Sequence, residues 1–151
     1  MAAIFGLILA SVPMLVTAAN QITASVTVSQ SCDFDADTSA IGFGPLSEGA
    51  QSSVVARYVN LNVNYPAIVK IFGDDWTGTL TGPPIMSVAQ TAYDKNLTSG
   101  NPTTALALTP GVNLISSSVP EYDLVSYQVT IPNQQTADTY MQHITLDFSC
   151  D

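Results

Sequence analysis

Residues 53–73 read SVVARYVNLNVNYPAIVKIFG, and the pattern of this stretch decides the fold. Val55, Val59, Leu61, Val63 and Tyr65 share one parity while Asn60, Asn62 and Asn64 share the other, the period of two expected of a strand with one buried and one solvated face. Arg57 alone interrupts the apolar side. Pro66 has no N–H for a ladder and ends the run, and Val69 and Ile71 then begin a shorter strand that stops at the Gly73-Asp74-Asp75 turn. The alternation recurs on both sides of this stretch. Ile22, Ala24, Val26 and Val28 alternate with Thr23, Ser25, Thr27 and Ser29, and are expected to form the first strand. Val125, Tyr127, Val129 and Ile131 alternate up to Pro132, and Ile144, Leu146, Phe148 and Cys150 form the closing strand. Between residues 73 and 120 the pattern breaks at Gly82-Pro83-Pro84, Gly100-Asn101-Pro102 and Pro110-Gly111, which predicts loops and brief edge strands. Residues 20–151 are therefore expected to form one domain, an antiparallel β-sandwich.

The 19 residues before this domain differ in kind. Residues 1–19, MAAIFGLILASVPMLVTAA, are uncharged and mostly apolar, and the first charged side chain is Asp33. As a helix the run would measure about 28 Å, close to the hydrocarbon thickness of a bilayer. Two readings compete. A secretory signal peptide, residues 1–18, is supported by small residues at Val16-Thr17-Ala18 or Thr17-Ala18-Ala19, although the basic n-region of such signals is missing. A retained hydrophobic helix would instead act as a filament core or membrane anchor, loosened at Pro13, with Gly6, Ala10, Ser11 and Ala18 allowing close approach of identical neighbours. In that reading Ile4, Phe5, Leu7, Ile8, Leu9, Val12, Met14, Leu15 and Val16 form the assembly surface.

Charge narrows the function. Only 10% of residues are charged, against roughly 25% in an average soluble domain. Three basic residues against twelve acidic ones give a net charge of -9, which excludes nucleic acid as a main partner and a polybasic membrane anchor. A mean hydropathy of +0.27 excludes a disordered chain. Cys32 and Cys150 allow one bridge, which an exported chain would form, or two buried thiols. Asn96-Leu97-Thr98 is a glycosylation sequon in a loop, whereas Asn101-Pro102-Thr103 is disqualified by its proline. Asp33, Asp35 and Asp37 alternate as in a calcium loop, but Thr38 and Gly44 stand where such a loop needs Gly and Glu, so a solvated acidic turn is the competing reading. Trp76 beside Asp74 and Asp75 reads as a hydrophobic plug or a carbohydrate contact. The single histidine, His143, sits on the polar side of the last strand, and neither a GxSxG turn, an SxxK motif nor a phosphate loop is present, so neither an enzyme nor a cofactor is expected.

An uncharged apolar segment running directly into a Thr/Val-rich sandwich resembles the processed subunits of archaeal type IV pili and archaella. IGFGPLSEGAQSSVVARYVNLNV is similar to the opening, and YQVTIPNQQTADTYMQHITLDFSC to the closing hairpin, of Ig-like fibre and surface-layer domains. Ala137-Asp138-Thr139-Tyr140 stands in place of Ala-Gly-Thr-Tyr in that hairpin, and Phe5 in place of the glutamate of bacterial pilins. The resemblance implies a mainly β fold class: an N-terminal hydrophobic α-helix (1–19) followed by an antiparallel Ig-like β-sandwich head (20–151). It implies an extracellular, cell-surface filament of identical subunits in helical array, held in the membrane before assembly. A face carrying Asn60, Asn62, Asn64, Thr23, Ser25, Thr27, Gln128 and Thr130 would then meet surface or glycan ligands. The alternative is a secreted fibre or surface-layer-type subunit assembled by strand exchange, as in spore-coat and chaperone-assembled pilins.

Overall fold

The structure, a computed structural model, describes residues 24–80 and 85–151. Its strands are β1 (Cys32–Ala36), β2 (Val55–Val63), β3 (Ala67–Gly73), β4 (Trp76–Gly78), β5 (Ile85–Met86), β6 (Thr91–Lys95), β7 (Thr104–Ala105), β8 (Val112–Ser117), β9 (Glu121–Val129), β10 (Tyr140–Met141) and β11 (Ile144–Cys150). All pairings are antiparallel, in three sheets ordered β1-β2-β9-β6-β7, β11-β3-β8 and β10-β4-β5.

The chain changes sheet where its sequence breaks alternation. At Tyr65-Pro66 it leaves β2 and crosses to β3, so that the apolar parities of both strands face one another. Leu61, Val63, Val69, Ile71 and Val125 are fully buried there, with Ile115 of β8 and Tyr93 and Tyr127 of the larger sheet around them. Each such aliphatic side chain contributes about 1.5 to 3 kcal/mol relative to an exposed one. Trp76, Met86 and Val129 form a second, smaller core beneath β4 and β5, packed by Phe43, Leu46, Ile131 and Tyr140. Gly111 supports the turn into β8: its φ of +73° favours glycine, and a Cβ there would lie 2.5 Å from the Ile71 carbonyl oxygen.

The helix-led fold class is corrected. Among the described residues there is no α-helix, only the 3-10 turn Val88–Gln90, and the sandwich stands as a β-only architecture. Apolar length, on which the helix rested, carries no periodicity of its own. Residues 1–19 lie outside the described residues, and with them Ile4, Phe5, Leu7, Ile8, Leu9, Val12, Met14, Leu15 and Val16, as do Ile22, Thr23 and the Gly82-Pro83-Pro84 break. Among the described residues no helix is long and apolar enough to cross a membrane.

The first expected strand is also corrected. Residues 24–30 pair with no strand and are exposed throughout, Val26 at 87% and Val28 at 75%. Alternation qualifies a segment for a sheet, but a strand forms only where a neighbouring backbone edge is available. The first paired strand begins at Cys32.

Cys32 and Cys150 are joined by a disulfide with their Cα atoms 6.4 Å apart and 118 residues between them in sequence. The bond ties the first residue of β1 to the last of β11, and in the chain-entropy argument closing a loop of that size is worth roughly 5 kcal/mol. The Cys32→Ser/Cys150→Ser variant is expected to lose about 3 to 5 kcal/mol in urea unfolding at pH 7. A loss below about 1 kcal/mol would show that the sandwich closes without its staple.

Candidate functional site

Two features qualify as functional surfaces, a cleft at one end of the small core and the flank where β1 and β11 meet. The cleft encloses about 1050 Å³ between residues 41–48, residues 135–140 and the small sheet. The fold brings these two loops together across the small core. Trp76 forms its floor, buried and fixed by a chain of hydrogen bonds that runs from the interior to the surface. Trp76 Nε1 donates to Thr91 Oγ1 at 3.0 Å, Thr91 Oγ1 donates to Gln142 Oε1 at 2.7 Å, and Gln142 Nε2 donates to the Asp74 carbonyl at 2.7 Å. Phe43 leans on Trp76 with ring centroids 6.2 Å apart.

Tyr140, Glu48 and Asp138 hold the walls of the cleft through hydrogen bonds. Tyr140 Oη donates to the Thr136 carbonyl at 2.7 Å and accepts from Gln135 Nε2 at 2.6 Å. Glu48 Oε2 accepts from the Gln134 amide at 2.7 Å. Asp138 accepts from Thr79 Oγ1, from the Leu80 amide at 2.9 Å and from the Thr139 amide at 2.7 Å. The Thr79 hydroxyl first, and then the Leu80 amide, hold its carboxyl below the usual range. An aspartate in place of a turn glycine thus has a reason in this chain: it anchors the loop to residues 79–80. The floor of the cleft is apolar, and the carboxylates of Glu48 and Asp138 in its walls are taken up by these loop hydrogen bonds.

The residues singled out in the sequence are dispersed. Asp33 and Asp35 share the outward side of β1, where Asp35 accepts from Tyr58 Oη at 3.2 Å. Asp37 lies beyond the strand, accepting from the Ser39 amide at 2.9 Å and pairing with Arg57 Nε at 3.5 Å. The three carboxylates do not converge, and among the described residues no cluster of His, Cys, Asp or Glu could hold a metal ion. Arg57, the interruption in the β2 pattern, donates to the carbonyls of Ser39 and Ala40 and so fastens the loop after β1. His143 is exposed, with Nδ1 3.8 Å from Asp74 Oδ2. Gln128, expected on the solvated face, is buried and donates to the Ser52 carbonyl at 2.8 Å, because residues 51–53 fold over that end of β9. Asn60 and Asn62 are exposed as expected.

Asn96 ends β6 in the left-handed region, φ 54°, where asparagine is among the tolerated residues. Its Nδ2 donates to Asp123 Oδ1, and its Oδ1 accepts from the Leu124 amide at 2.9 Å. The sequon asparagine is thus also a turn residue whose side chain bridges to β9. Lys95 Nζ completes the cluster, 3.0 Å from Asp123 and 2.7 Å from Glu121. Burial pushes the Asp123 carboxyl up, but hydrogen bonds from Asn96 and Lys95 outweigh it and hold the group below its ordinary value. No signal in the sequence marked this cluster, since its members are separated by the loops between β6 and β9.

The flank is built from the outer strands of two sheets. β1 is one edge of the large sheet and β11 one edge of the β11-β3-β8 sheet, each with one backbone side unpaired. Phe34 of β1 stacks on Phe148 of β11, centroids 5.1 Å apart and 17° between planes. Phe34, Ala36, Ile144, Leu146 and Phe148 pack on the main core but stay only partly buried, whereas Val59, Leu61, Val69 and Ile71 further in are at 0–1% exposure. At the disulfide end, Asn64 fixes the incoming chain. Ser31 N donates to Asn64 Oδ1 at 2.9 Å, Asn64 Nδ2 to the Ser29 carbonyl at 2.8 Å, and Asn64 N to the Ser31 carbonyl at 3.3 Å.

No family model, no curated protein and no solved structure matches this chain.

Asn96→Ala is expected to cost about 1.5 to 3 kcal/mol at pH 7, the range for hydrogen bonds to charged groups. A carboxyl with a depressed folded value takes up its proton more readily in the unfolded chain. Its contribution is therefore complete above the unfolded value of about 3.9 and is lost as pH falls toward the folded one. The deficit of the variant relative to the parent, followed by urea unfolding from pH 7 to pH 2.5, should shrink below about pH 4. A deficit independent of pH would show that Asn96 acts only through its backbone conformation.

Proposed function

We propose that this chain is a structural subunit of an extracellular assembly, a surface filament or related fibre made of copies of itself, and that it turns over no substrate. The observation that carries the reading is the exposed arm, residues 24–30, which leaves a disulfide-closed sandwich with Val26 and Val28 in solvent. A monomer working alone gains nothing from a strand-patterned apolar arm held in water, and exposed apolar surface of this kind marks an interaction site. The disulfide supports an oxidising compartment outside the cytoplasm. The resemblance to archaeal pilus subunits and Ig-like fibre domains points the same way. The uncharged run 1–19 supports a stay in or passage through a membrane before assembly.

The absence of turnover is supported by how the titratable groups around the cleft are used. Asp138 and Glu48, the carboxylates that line the cleft, are acceptors within loops. Adhesion rests on the solvated face, where Asn60 and Asn62 offer hydrogen bonds without charge and the stacked Tyr58 and Tyr122 offer a flat apolar surface to a glycan or another filament. Weak contacts repeated along a fibre gain by multivalency.

Electron microscopy and sedimentation of the oxidised chain over a concentration series are expected to show extended polymers. Their binding to a glycan-bearing surface should exceed that of isolated subunits by about a hundredfold or more. A chain that stays monomeric at every concentration, or subunits that bind as tightly as polymers, would overturn the proposal.

A further inference from the structure

One wall of the cleft over Trp76 is a strip of main chain that the subunit itself does not use. Residues 37–47 belong to no strand or helix, and among the described residues no backbone N–H or C=O of Ile41, Gly42, Phe43 or Gly44 is hydrogen-bonded. Exposure alternates along the strip, with Ile41 and Phe43 half-buried and Gly42 and Gly44 exposed. Ile41 and Phe43 hold it from below by packing on the cores. Arg57 holds the carbonyls of Ser39 and Ala40 before it, and Gly49 N donates to the Ile131 carbonyl at 2.9 Å after it.

Gly44 has a local reason to be glycine, a φ of +73°. Gly42 has none, since its φ lies outside the left-handed region and a Cβ there would meet no atom within 4 Å. A glycine that neither the conformation nor the packing of its own chain requires leaves room for a second backbone to come close. We propose that the cleft binds an extended, cationic segment of another protein, whose main chain pairs with residues 41–43 and whose alternate side chains enter the cleft over Trp76.

Size, lining and charge select this ligand. At about 1050 Å³ the cleft stands at the upper end of the roughly 300 to 1,000 Å³ of small-molecule pockets, which is room for several side chains in a row. Trp76, Met86, Val129, Ile131 and Leu46 give it an apolar floor suited to aliphatic side chains. The charged groups that line it, Glu48 and Asp138, are both negative, and no Lys or Arg lies among the lining residues. Their hydrogen-bond donors are neutral amides and a hydroxyl, so both charges are left for a cation to meet.

Charge also separates this partner from a second copy of the chain. The sequence has three basic residues. Arg57 fastens the loop after β1, Lys95 pairs with Glu121 and Asp123, and Lys70 lies inside β3 between Asp147 of β11 and Asn113 of β8. None of them can be lent as a free segment, and residues 24–30 carry no charge. The contact is therefore independent of any assembly of copies.

Trp76 is the only tryptophan in the sequence, so its fluorescence reports occupation of the cleft in the full-length oxidised chain. The probes are capped octapeptides that alternate valine with threonine and end in lysine or in glutamate, and a capped peptide of residues 24–30. The lysine peptide should shift the Trp76 emission and bind about tenfold or more tighter than either of the others. Glu48→Gln, which can keep the bond from the Gln134 amide without the charge, should remove most of that preference. Gly42→Val should keep the parent's thermal midpoint, because the new side chain meets open space, yet weaken the lysine peptide by about tenfold or more. Methylating alternate backbone amides of the lysine peptide should weaken it to a similar degree. An unshifted Trp76 emission at millimolar lysine peptide, or undiminished binding in Gly42→Val or with the methylated probe, would overturn the proposal. So would tighter binding of the 24–30 peptide or of a neutral oligosaccharide.

Discussion

The closure of β1 against β11 is the constraint on which the rest of the molecule depends. These strands belong to different sheets and lie at opposite ends of the sequence, and they are held together by one disulfide and one aromatic stack. Inward of them, β2, β3 and β9 pack a dry aliphatic core that the flank keeps closed. The same closure places the chain's entry into the sandwich beside its exit, so the arm before β1 emerges where β11 ends. Closure of the sandwich and the place where residues 24–30 emerge thus share one structural cause.

Scarcity of positive charge shapes what surrounds that core. Of three basic residues, Arg57 and Lys95 are both used as internal fasteners, one on the loop after β1 and the other on the buried Asp123. Few cations are then left to offset the acidic surface, which should keep folded copies apart at neutral pH. In the proposed assembly, contact between copies would fall to uncharged segments, and residues 24–30 are such a segment. The buried chain from Trp76 through Thr91 to Gln142 does the corresponding work at the other end, fixing the small sheet to the large one without any charge.

Strands with a consistent alternation were legible in the sequence. β2, β3, β9 and β11 fall where Val59 to Val63, Val69 to Ile71, Val125 to Val129 and Ile144 to Cys150 alternate, and the bridge between Cys32 and Cys150 is one of the two readings that a pair of cysteines allowed. β6 was not legible as a strand inside the large sheet, because its buried side includes Thr91, whose hydroxyl is satisfied only by Trp76 and Gln142 from distant segments. Residues 24–30 show the opposite case, a strand pattern with no strand in the subunit. Periodicity reports the face a segment can bury and says nothing of which backbone lies beside it. The Asn96–Asp123–Lys95 cluster and the anchoring of residues 135–140 by Asp138 were invisible for a related reason, since each depends on residues brought together by topology. The helix expected over residues 1–19 rested on apolar length without a period, and those residues lie outside the described part of the chain.

Amide hydrogen exchange on assembled and monomeric protein tests the central claim most directly. Residues 24–30 should exchange freely in the monomer and become protected on assembly. Polymers in which residues 24–30 still exchange at the monomer rate would contradict the account.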